Sequence, residues 1–276
     1  MSQRIAFQGE LGAYGHEAVQ MARPNAVPVP CGTFEDVIDS MRSAEADLAM
    51  LPVENTTYGR VADIHRLLPD SGMNIVDEAF VRVRISLMAM PGQKTSEIKR
   101  VRCHPVLIPQ ARTFLEAHSM IAEAATDNAG AAADIARDHE MGVGALASRL
   151  AADIHGLEVL ASDIEDTSYN TTRFLLMSPK PDHTRRSEKM LTTFVFEVRN
   201  IPAALYKAMG GFATNGVNMT KLESYMVRGA FTATQFYADI EGHPDDAPVQ
   251  RALEELDYFT NRLDILGVYP AAVGRD

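Results

Sequence analysis

The sequence contains no tryptophan, and only two of its 276 residues are cysteine. Cys31 and Cys103 are too few for a disulfide framework, so we interpret them as small buried apolar residues in a reducing compartment. The run of about 18 apolar residues that a membrane-spanning helix needs is also missing, and no signal-like apolar run follows the opening MSQR. These absences exclude a disulfide-stabilised secreted domain and a membrane protein, and they predict a cytoplasmic location.

Positive charge is scarce, because 26 lysines and arginines face 37 aspartates and glutamates for a net charge of -11. A surface of that sign repels phosphate backbones, which excludes a nucleic-acid partner. One stretch reverses the balance, since residues 79–115 hold seven basic side chains and one acidic side chain, Glu97. This basic stretch is either a solvated face or a bias of a binding crevice toward anions.

A polar stretch with two prolines, SPKPDHTRRSEK at 178–189, interrupts the chain past its midpoint. Such a composition is typical of a linker. The chain has 46% hydrophobic and 23% charged residues, as globular proteins do, and its length fits one large domain or two smaller ones. We therefore predict a first domain over residues 1–180, a linker over 181–190 and a second domain over 191–276.

Before the linker, short apolar segments alternate with helical patterns. Strands that alternate with helices form a largely parallel α/β sheet covered on both faces, and such sheets bind ligands at the carboxyl ends of their strands. The loops that follow strands are therefore the places to search for a site. The predicted strand and helix pairs are 4–8 with 14–22, 47–51 with 61–68, and 100–103 with 106–117.

After the linker, the pattern gives six elements in the order strand, helix, strand, strand, helix, strand, which is the ferredoxin-like order. Pro202 fits the first turn of the first helix, which is predicted to end near 210–211 or 215–216. The two middle strands are predicted to form a hairpin around 228–229. The predicted strands are 191–199, 217–227, 231–240 and 263–269, and the second helix is 247–259.

Two loops that follow predicted strands carry groups suited to small anions. The glycine loop at 9–15 opens a helix, so its amides either cradle an anion or form a simple tight turn. The segment LPVENTTYG at 51–59 leads into hydrogen-bonding side chains, which either face the crevice or cap the next helix through Asn55 or Thr57. Thr33 and Asp36 have only the spacing of a helix capping box.

A third polar run ends in Thr172 and Arg173 at the start of an apolar strand. The planar guanidinium fork suits a carboxylate, and the neighbouring hydroxyl can donate to a leaving oxygen. The eight histidines form no His-x-x-x-His arrangement and the cysteines no Cys-x-x-Cys, so no metal site is predicted. From the residues alone, the prediction is a crevice for a small anion.

These segments, in this order, resemble the prephenate dehydratase family over nearly the whole chain. The family's Pro-Val/Ile-Glu-Asn-Ser-x-x-Gly motif is similar to PVENTTYG at 52–59, where Thr56 replaces the serine but keeps the hydroxyl. The family's His-Pro block matches residues 104–105, with Gln110 five residues beyond the proline. The family's alanine-rich helix is similar to GALASRLAA at 144–152, and its Asn-x-Thr-Arg-Phe signature is similar to NTTRF at 170–174.

The resemblance implies a carbon–oxygen lyase that converts prephenate to phenylpyruvate in L-phenylalanine biosynthesis, without a cofactor. It implies an α/β catalytic domain of two lobes, similar to a periplasmic binding protein, with the site in the cleft. It assigns to Thr172 the donation of a hydrogen bond to the leaving hydroxyl. Arg173 is the expected carboxylate anchor, and Glu54 is expected to orient its neighbours. The expected substrate-binding residues are Asn55, Thr56, Gln110, Ser148, Asn170, Arg173 and Phe174.

The C-terminal domain resembles the ACT module, the ferredoxin-like α+β unit that senses phenylalanine in these enzymes. The family's Pro-Gly-Ala-Leu is similar to PAAL at 202–205, and its Glu-Ser-Arg-Pro is similar to ESYM at 223–226. Because Tyr225 and Met226 replace the arginine and the proline, we expect phenylalanine to inhibit weakly or not at all. The expected effector-binding residues are Ala204, Leu205, Asn218, Glu223 and Ser224.

Two other functions fit the same residues. Arogenate dehydratase acts on a substrate with an amino group in place of the keto oxygen, and a non-catalytic cytoplasmic sensor would bind a small anion without turnover. The joint presence of Asn55, Thr172 and Arg173 favours the enzyme. The resemblance further implies a homodimer or homotetramer, with prephenate as substrate and L-phenylalanine as the expected effector.

Overall fold

The computed structural model describes residues 2–226 and 233–275, which form two compact units. Unit 1 comprises residues 1–64 and 79–174, and unit 2 comprises residues 65–78 and 175–276. Within the described ranges, no helix is both long enough and apolar enough to cross a bilayer.

In residues 4–178, six α-helices lie among eleven strands, so the predicted alternation is present in most but not all of the connections. The strands are β1 (Arg4–Gln8), β2 (Val27–Cys31), β3 (Leu48–Asn55), β4 (Gly59–Arg60), β5 (Asn74–Arg82), β6 (Ser86–Ala89), β7 (Arg100–Cys103), β8 (Ile121–Ala124), β9 (Val143–Ala147), β10 (Glu158–Ala161) and β11 (Thr171–Ser178). The helices are α1 (Tyr14–Ala22), α2 (Phe34–Arg42), α3 (Ala62–Leu67), α4 (Arg112–Ala117), α5 (Asn128–Asp138) and α6 (Arg149–His155).

The first sheet of unit 1 is parallel at its centre. The strand order is β11-β3-β1-β2, and β1 pairs in parallel with both β2 and β3. Ile5, Ala6 and Phe7 of β1 are fully buried, as expected for a strand that is covered on both faces. The helix α2 packs against β1, and it begins at the predicted capping box of Thr33 and Asp36.

The second sheet of unit 1 has the strand order β10-β6-β9-β7-β8. β7 is parallel to β8 and β9, whereas β6 is antiparallel to β9 and β10. The predicted parallel pairing is therefore confirmed around β1 in the first sheet and around β7 in the second. The antiparallel pairs of β6 were not predicted. Unit 1 is a mixed α/β fold with two sheets, and its site can form beyond the carboxyl ends of the parallel strands.

The C-terminal part of unit 2 has the predicted ferredoxin-like element order. Its antiparallel strands are arranged β13-β14-β12-β15, and stacked phenylalanine rings such as Phe194 and Phe212 fill the space under the two helices. The predicted turn around 228–229 lies outside the described residues. The elements are β12 (Met190–Val198), α7 (Ala204–Thr214), β13 (Met219–Met226), β14 (Ala233–Glu241), α8 (Ala247–Phe259) and β15 (Thr260–Pro270).

Two predicted helices differ from those observed, and proline explains the first difference. The predicted helix at 106–117 is split into two short 3-10 turns, which begin at Pro105 and Pro109, followed by α4. Proline cannot donate a backbone hydrogen bond, so it starts helical turns instead of continuing them. Pro202 precedes α7, which begins at Ala204 and ends at Thr214, so the second predicted helix end is confirmed and the first-turn position of Pro202 is wrong.

Ala203, the residue before α7, has a left-handed backbone, with φ 61° and ψ 16°. An L side chain pays about 1–2 kcal/mol in this region, whereas glycine does not. We expect Ala203→Gly to raise the free energy of unfolding by about 0.5–1 kcal/mol, after the extra unfolded-state entropy of glycine is subtracted. Chemical denaturation measures the change, and Ala213→Gly in the exposed helical part of α7 should lower stability instead.

The segment 65–78 belongs to unit 2, although its neighbours in sequence on both sides belong to unit 1. Ile75 pairs with Gly267 of β15, and Pro69 accepts a hydrogen bond from Arg262 at 3.3 Å. Glu78 accepts from Arg275 at 2.6 Å. The sequence-based prediction places this segment in the first domain, residues 1–180, whereas the structure groups it with the C-terminal residues in unit 2.

Candidate functional site

The larger cavity of unit 1 has a volume of about 610 Å³ and lies where several helices begin. Cavities of this size bind small metabolites. The first residues of α1, α2 and α5, together with the residue before α6, form much of its wall. Among the lining residues are Gln8, Gly12, Tyr14, Thr33, Glu35, Asp63, His104, Asp127, Asn128, Ser148, Thr172 and Phe174.

The helix N-termini bring backbone N–H groups to the wall of this cavity. Backbone N–H groups at a helix N-terminus carry partial positive charge, and several of them together attract an anion. Thr33, Asp127 and Ser148 cap α2, α5 and α6 with their side chains. Ala13 at the start of α1 forms no side-chain cap, so the first-turn amides of α1 keep their hydrogen-bonding capacity for a ligand.

No lysine or arginine is among the described residues that line this cavity, whereas Glu35, Asp63 and Asp127 are. The basic stretch at 79–115 does not supply the missing cations. Its arginines pair with nearby carboxylates instead, for example Arg102 with Glu140 at 2.7 Å. The other pairs join Arg82 to Glu165, Arg84 to Asp163, Arg100 to Glu123 and Arg112 to Glu116.

A smaller cavity of about 330 Å³ shares part of its wall with the larger one. Its surface is mostly apolar, with Val61, Val83, Val106 and Leu107 among the lining residues. The lining residues common to both cavities are Tyr14, Val61, His104, Asn128 and Thr172. A ligand that fills both cavities would therefore pass Thr172.

Thr172 holds its hydroxyl in a defined orientation. The Oγ1 atom accepts a hydrogen bond from Asn55 Nδ2 at 3.0 Å, and its own hydrogen has no acceptor among residues 2–226 and 233–275. A hydroxyl whose acceptor side is occupied by a protein donor can direct its hydrogen toward a ligand. Thr172 is therefore arranged as a donor to whatever occupies the two cavities.

The amides of Asn55, Asn170 and Gln110 form a chain behind Thr172. Asn55 Nδ2 donates to Asn170 Oδ1 at 2.7 Å, and Asn170 Nδ2 donates to Gln110 Oε1. Asn55 Oδ1 accepts from the backbone N–H groups of Thr57 and Tyr58, so Asn55 caps a turn and not a helix. Both amide hydrogens of Asn55 are used within the protein, so the side chain orients Thr172 in this structure.

Thr56 and Ser148 also use their hydroxyl groups within the protein. Thr56 Oγ1 donates to Tyr169 O at 2.8 Å and accepts from Thr171 N at 3.0 Å, which fastens the 55–58 turn to β11. Ser148 Oγ donates to Gly12 O at 2.6 Å and accepts from Ala151 N at 3.2 Å. Ser148 lines the larger cavity, whereas Thr56 lines neither of the two cavities, and the role of both as direct substrate ligands stays a prediction.

Arg173 lines neither cavity. Its side chain is only 2% exposed and forms an ion pair with Glu54 at 2.8 Å. A buried guanidinium requires a carboxylate partner, and the same Glu54 was expected to orient neighbouring groups. The structure brings Phe174, the next residue of β11, to the larger cavity and points Arg173 to the opposite side of the strand, as alternation along a strand requires.

Sequence reasoning gave no individual role to His104, Asn128 or Tyr14, which line both cavities. His104 Nδ1 accepts from Val106 N, so Nε2 carries the proton, and Asn128 Oδ1 accepts from His104 N at 2.8 Å. Burial and the carboxylate of Glu17 raise the pKa of Tyr14 well above its ordinary value, so its phenol stays protonated and donates to Arg84 O. Asn128 begins α5 shortly after the end of β8, and this place after a strand was the signal that could have indicated Asn128 as a site residue.

His16 holds the glycine loop in place from beneath. Its Nδ1 accepts from Gly12 N at 3.1 Å, its ring stacks on Phe7, and burial lowers its pKa. A protonated ring cannot accept this hydrogen bond, so the folded chain takes up the proton at a lower pH than the unfolded chain.

We expect the contribution of His16 to stability to be complete above pH 6.5, the ordinary pKa, and to be lost as the pH falls below it. Denaturation of the wild type and of His16→Gln at about pH 7 and about pH 5 measures this linkage. The wild type should lose more unfolding free energy across the interval than the variant. Equal losses would show that His16 does not titrate as proposed.

The described residues contain no group of three or more His, Cys, Asp or Glu side chains placed to hold a metal ion. Cys31 and Cys103 are both free thiols.

The expected effector-binding residues lie in unit 2, at the start of α7 and along β13. Ala204 lines a cavity of about 290 Å³ with Arg199, Lys207 and Tyr258, and Leu205 packs on the unit 2 core. Asn218 precedes β13 and accepts from Glu241 N through its backbone carbonyl. Glu223 and Ser224 lie side by side on β13, opposite Tyr237 and Phe236.

Comparison with protein families gives a match to the prephenate dehydratase model over residues 5–182. A bifunctional N-acyl-homoserine lactone acylase/prephenate dehydratase from Komagataeibacter europaeus is 46% identical over 269 residues, which cover 97% of this chain and 96% of that protein. Arogenate dehydratase 2 from Petunia hybrida is 35% identical over 285 residues, covering 98% of this chain and 72% of the plant protein.

Solved structures give the same picture. GqqA, described as a novel type of quorum quenching acylase, superposes with a TM-score of 0.93 at 45% identity, over 99% of this chain and 100% of that chain. Prephenate dehydratase from Arthrobacter aurescens in complex with L-Phe superposes with a TM-score of 0.88 at 30% identity, over 98% of this chain and 90% of that chain.

Proposed function

The chain belongs to the prephenate dehydratase family, and from this premise we propose that it catalyses the decarboxylating dehydration of prephenate to phenylpyruvate. The observation that carries the proposal is the hydroxyl of Thr172, which accepts from Asn55 and has no acceptor for its own hydrogen among the described residues. The reaction needs such a donor beside the bond that breaks.

In the reaction, the bond between the ring and its carboxylate breaks to release carbon dioxide. The electron pair of that bond enters the ring, which becomes aromatic, and the carbon–oxygen bond breaks as the hydroxyl leaves and takes up a proton to become water. Hydroxide is a poor leaving group, so a donor placed at this oxygen lowers the barrier, by about 10²- to 10⁴-fold in rate. Threonine is a weak acid, so Thr172 contributes through its fixed position and dipole.

Prephenate carries two carboxylates, and we propose that helix N-termini bind them. The uncapped first turn of α1 supplies backbone donors, and the Nε2 of His104 and the Nδ2 of Asn128 supply side-chain donors on the shared wall. Buried Arg173, paired with Glu54, would support β11 from the opposite side of the strand. The described residues that line the larger cavity include no lysine or arginine. We therefore propose that oriented N–H dipoles, and not a cationic side chain, bind the carboxylates.

A direct assay tests the proposal. The purified protein is incubated with prephenate or with arogenate, and phenylpyruvate and phenylalanine are followed by chromatography. Turnover of prephenate supports the proposed reaction, and turnover of arogenate alone would identify an arogenate dehydratase, the activity for which the Petunia hybrida relative is named. Binding without turnover of either substrate would refute the enzyme and favour the non-catalytic sensor.

Hydrolysis of N-acyl-homoserine lactones is a second candidate function. The 46% identical relative is named for this activity as well, and the mostly apolar cavity beside Thr172 suits an acyl chain. Incubation with a medium-chain N-acyl-homoserine lactone, followed by mass spectrometry of homoserine lactone and free fatty acid, tests it. Release of both products would give the chain two activities, and an unchanged substrate would limit it to the dehydratase reaction.

We further propose that residues 1–180 carry the catalytic function and that residues 191–276 form an ACT regulatory domain. The ferredoxin-like order in unit 2 and the L-Phe complex of the Arthrobacter aurescens relative support L-phenylalanine as the effector. Tyr225 and Met226 stand where the family has arginine and proline, so inhibition should be weak. Calorimetry with L-phenylalanine tests this, and tight binding with strong inhibition would contradict it. The homo-oligomeric state and cytoplasmic location stay predictions.

A further inference from the structure

A closed ring of hydrogen bonds surrounds the smaller cavity of unit 1. Asn55 Nδ2 donates to Asn170 Oδ1, Asn170 Nδ2 donates to Gln110 Oε1, and Gln110 Nε2 donates to Val106 O at 2.9 Å. The hydroxyl of Tyr58 donates to the same Val106 carbonyl at 3.2 Å, and Tyr58 N donates to Asn55 Oδ1 at 3.0 Å. These five residues, which we call the hydrogen-bonded ring, all line the cavity.

The hydrogen-bonded ring has one weak link. Asn170 is 1% exposed and Gln110 is 7% exposed, so breaking their bonds would leave buried polar groups without partners. Tyr58 is 48% exposed and Val106 is 40% exposed, so the bond between them competes with water and is the least protected bond of the ring. Loss of the Tyr58 hydroxyl would therefore break the ring at its most exposed bond.

Asn55 joins the hydrogen-bonded ring to Thr172. Its Oδ1 is held by the turn that carries Tyr58, and its Nδ2 donates to Thr172 Oγ1. A movement of Tyr58 away from Val106 would free the 55–58 turn on one side and loosen the amide that orients the hydroxyl. Small errors in the placement of a donor reduce the rate of the step that it assists.

We propose that Tyr58 is a positioning residue, whose hydrogen bond to Val106 closes the ring and fixes Thr172 through Asn55. The proposal rests on the proposed function of Thr172 as a donor. Tyr58 stands at one of the two x positions of the family's Pro-Val/Ile-Glu-Asn-Ser-x-x-Gly motif, so the resemblance assigns it no role.

Tyr58→Phe tests the proposal, because it removes only the hydroxyl and keeps the aromatic ring. The matched control is Tyr169→Phe, since Tyr169 is 67% exposed and its hydroxyl forms no hydrogen bond with the described residues. We expect Tyr58→Phe to lower kcat by about 3- to 10-fold, the loss that corresponds to one typical hydrogen bond, with KM within about 2-fold. Tyr169→Phe should leave both constants unchanged.

A double-mutant cycle separates positioning from a general loss of structure. Asn55→Ala removes the connection between the turn and Thr172, so Tyr58→Phe should have no further effect on kcat in that background. An equal loss of kcat in both backgrounds would overturn the proposed connection through Asn55. A rise in KM with kcat unchanged would overturn it as well, because it would make Tyr58 a substrate gate only.

Hydrogen exchange provides a readout that is independent of activity. The amides of Thr57 and Tyr58 both donate to Asn55 Oδ1, so their exchange reports whether the turn is held. We expect Tyr58→Phe to speed exchange of these two amides several-fold and Tyr169→Phe to leave it unchanged. Unchanged exchange in Tyr58→Phe would overturn the proposal even if the enzyme is active. Absence of wild-type turnover with faster exchange in the variant would refute the proposed function and keep the ring.

Discussion

Thr172→Val should lower kcat for prephenate by about 10²- to 10⁴-fold, with KM within about 3-fold of the wild type. Valine has nearly the shape of threonine, so the change removes the hydroxyl and keeps the volume of the wall. The hydroxyl oxygen accepts a hydrogen bond from Asn55, which leaves the hydroxyl hydrogen for a ligand in the cavities. Steady-state kinetics, following phenylpyruvate, measure the effect.

Thr172→Ser is the matched control, because it keeps a hydroxyl that can accept from Asn55. We expect it to retain kcat within about 10-fold of the wild type, since the donor is present but less constrained at χ1. Thermal denaturation should give both variants a similar Tm. Near-normal turnover of Thr172→Val would remove Thr172 from the reaction, and equal losses in both variants would indicate that its methyl group matters as much as its hydroxyl.

Gly12→Ala should lower the free energy of unfolding by about 3 kcal/mol. A Cβ at Gly12 would lie 2.5 Å from the Cα of Ala151 and 2.8 Å from its Cβ, and the residue has φ +97°. The backbone of Gly12 also donates to His16 and accepts from Ser148, so a shift that relieves the contact would break hydrogen bonds in the cavity wall. Denaturant titration measures the change in stability.

Gly156→Ala separates the effect of backbone conformation from the effect of contact. Gly156 follows α6, has φ +69°, and would have no atom within 4 Å of an added Cβ. This control should cost only about 1 kcal/mol, the penalty of a left-handed backbone. Gly12→Ala should also lower kcat/KM for prephenate, while Gly156→Ala should not. Equal costs for the two variants would mean that the contact with Ala151 is easily relieved.

Local pattern predicted the elements well wherever one signal dominated. The helix at 14–22 and the helix at 247–259 have the bounds that their periodicity predicts. The capping box of Thr33 and Asp36 was equally direct, because both residues lie within one turn of the chain. Such features depend on residues a few positions apart, so they can be predicted from the sequence alone.

Features that depend on distant residues could not be predicted in the same way. The sequence places Arg173 beside Thr172, and only the fold shows that alternation along β11 buries the guanidinium against Glu54. The hydrogen-bonded ring joins residues from three separate segments, and the bond of Tyr58 to the Val106 backbone has no sequence signature. Of the residues that the motifs single out, Asn55, Gln110, Asn170 and Thr172 line the smaller cavity, whereas Thr56 and Arg173 line neither cavity. The structure also separates the hydroxyl of Thr172, which can donate to a ligand, from the amide of Asn55, which orients it.

The place of residues 65–78 in unit 2 has a consequence for the modularity of the chain. A cut in the 181–190 linker would separate residues 65–78 from most of unit 2. His65, Leu68 and Ile75, which are at most 2% exposed, would then lose the residues that bury them. Residues 65–78 and 175–276 should therefore be kept together in fusion proteins, in domain exchange between relatives and in fragments expressed alone. Recombination during evolution is subject to the same restriction, because a new C-terminal part must fit an insert that lies more than a hundred residues upstream.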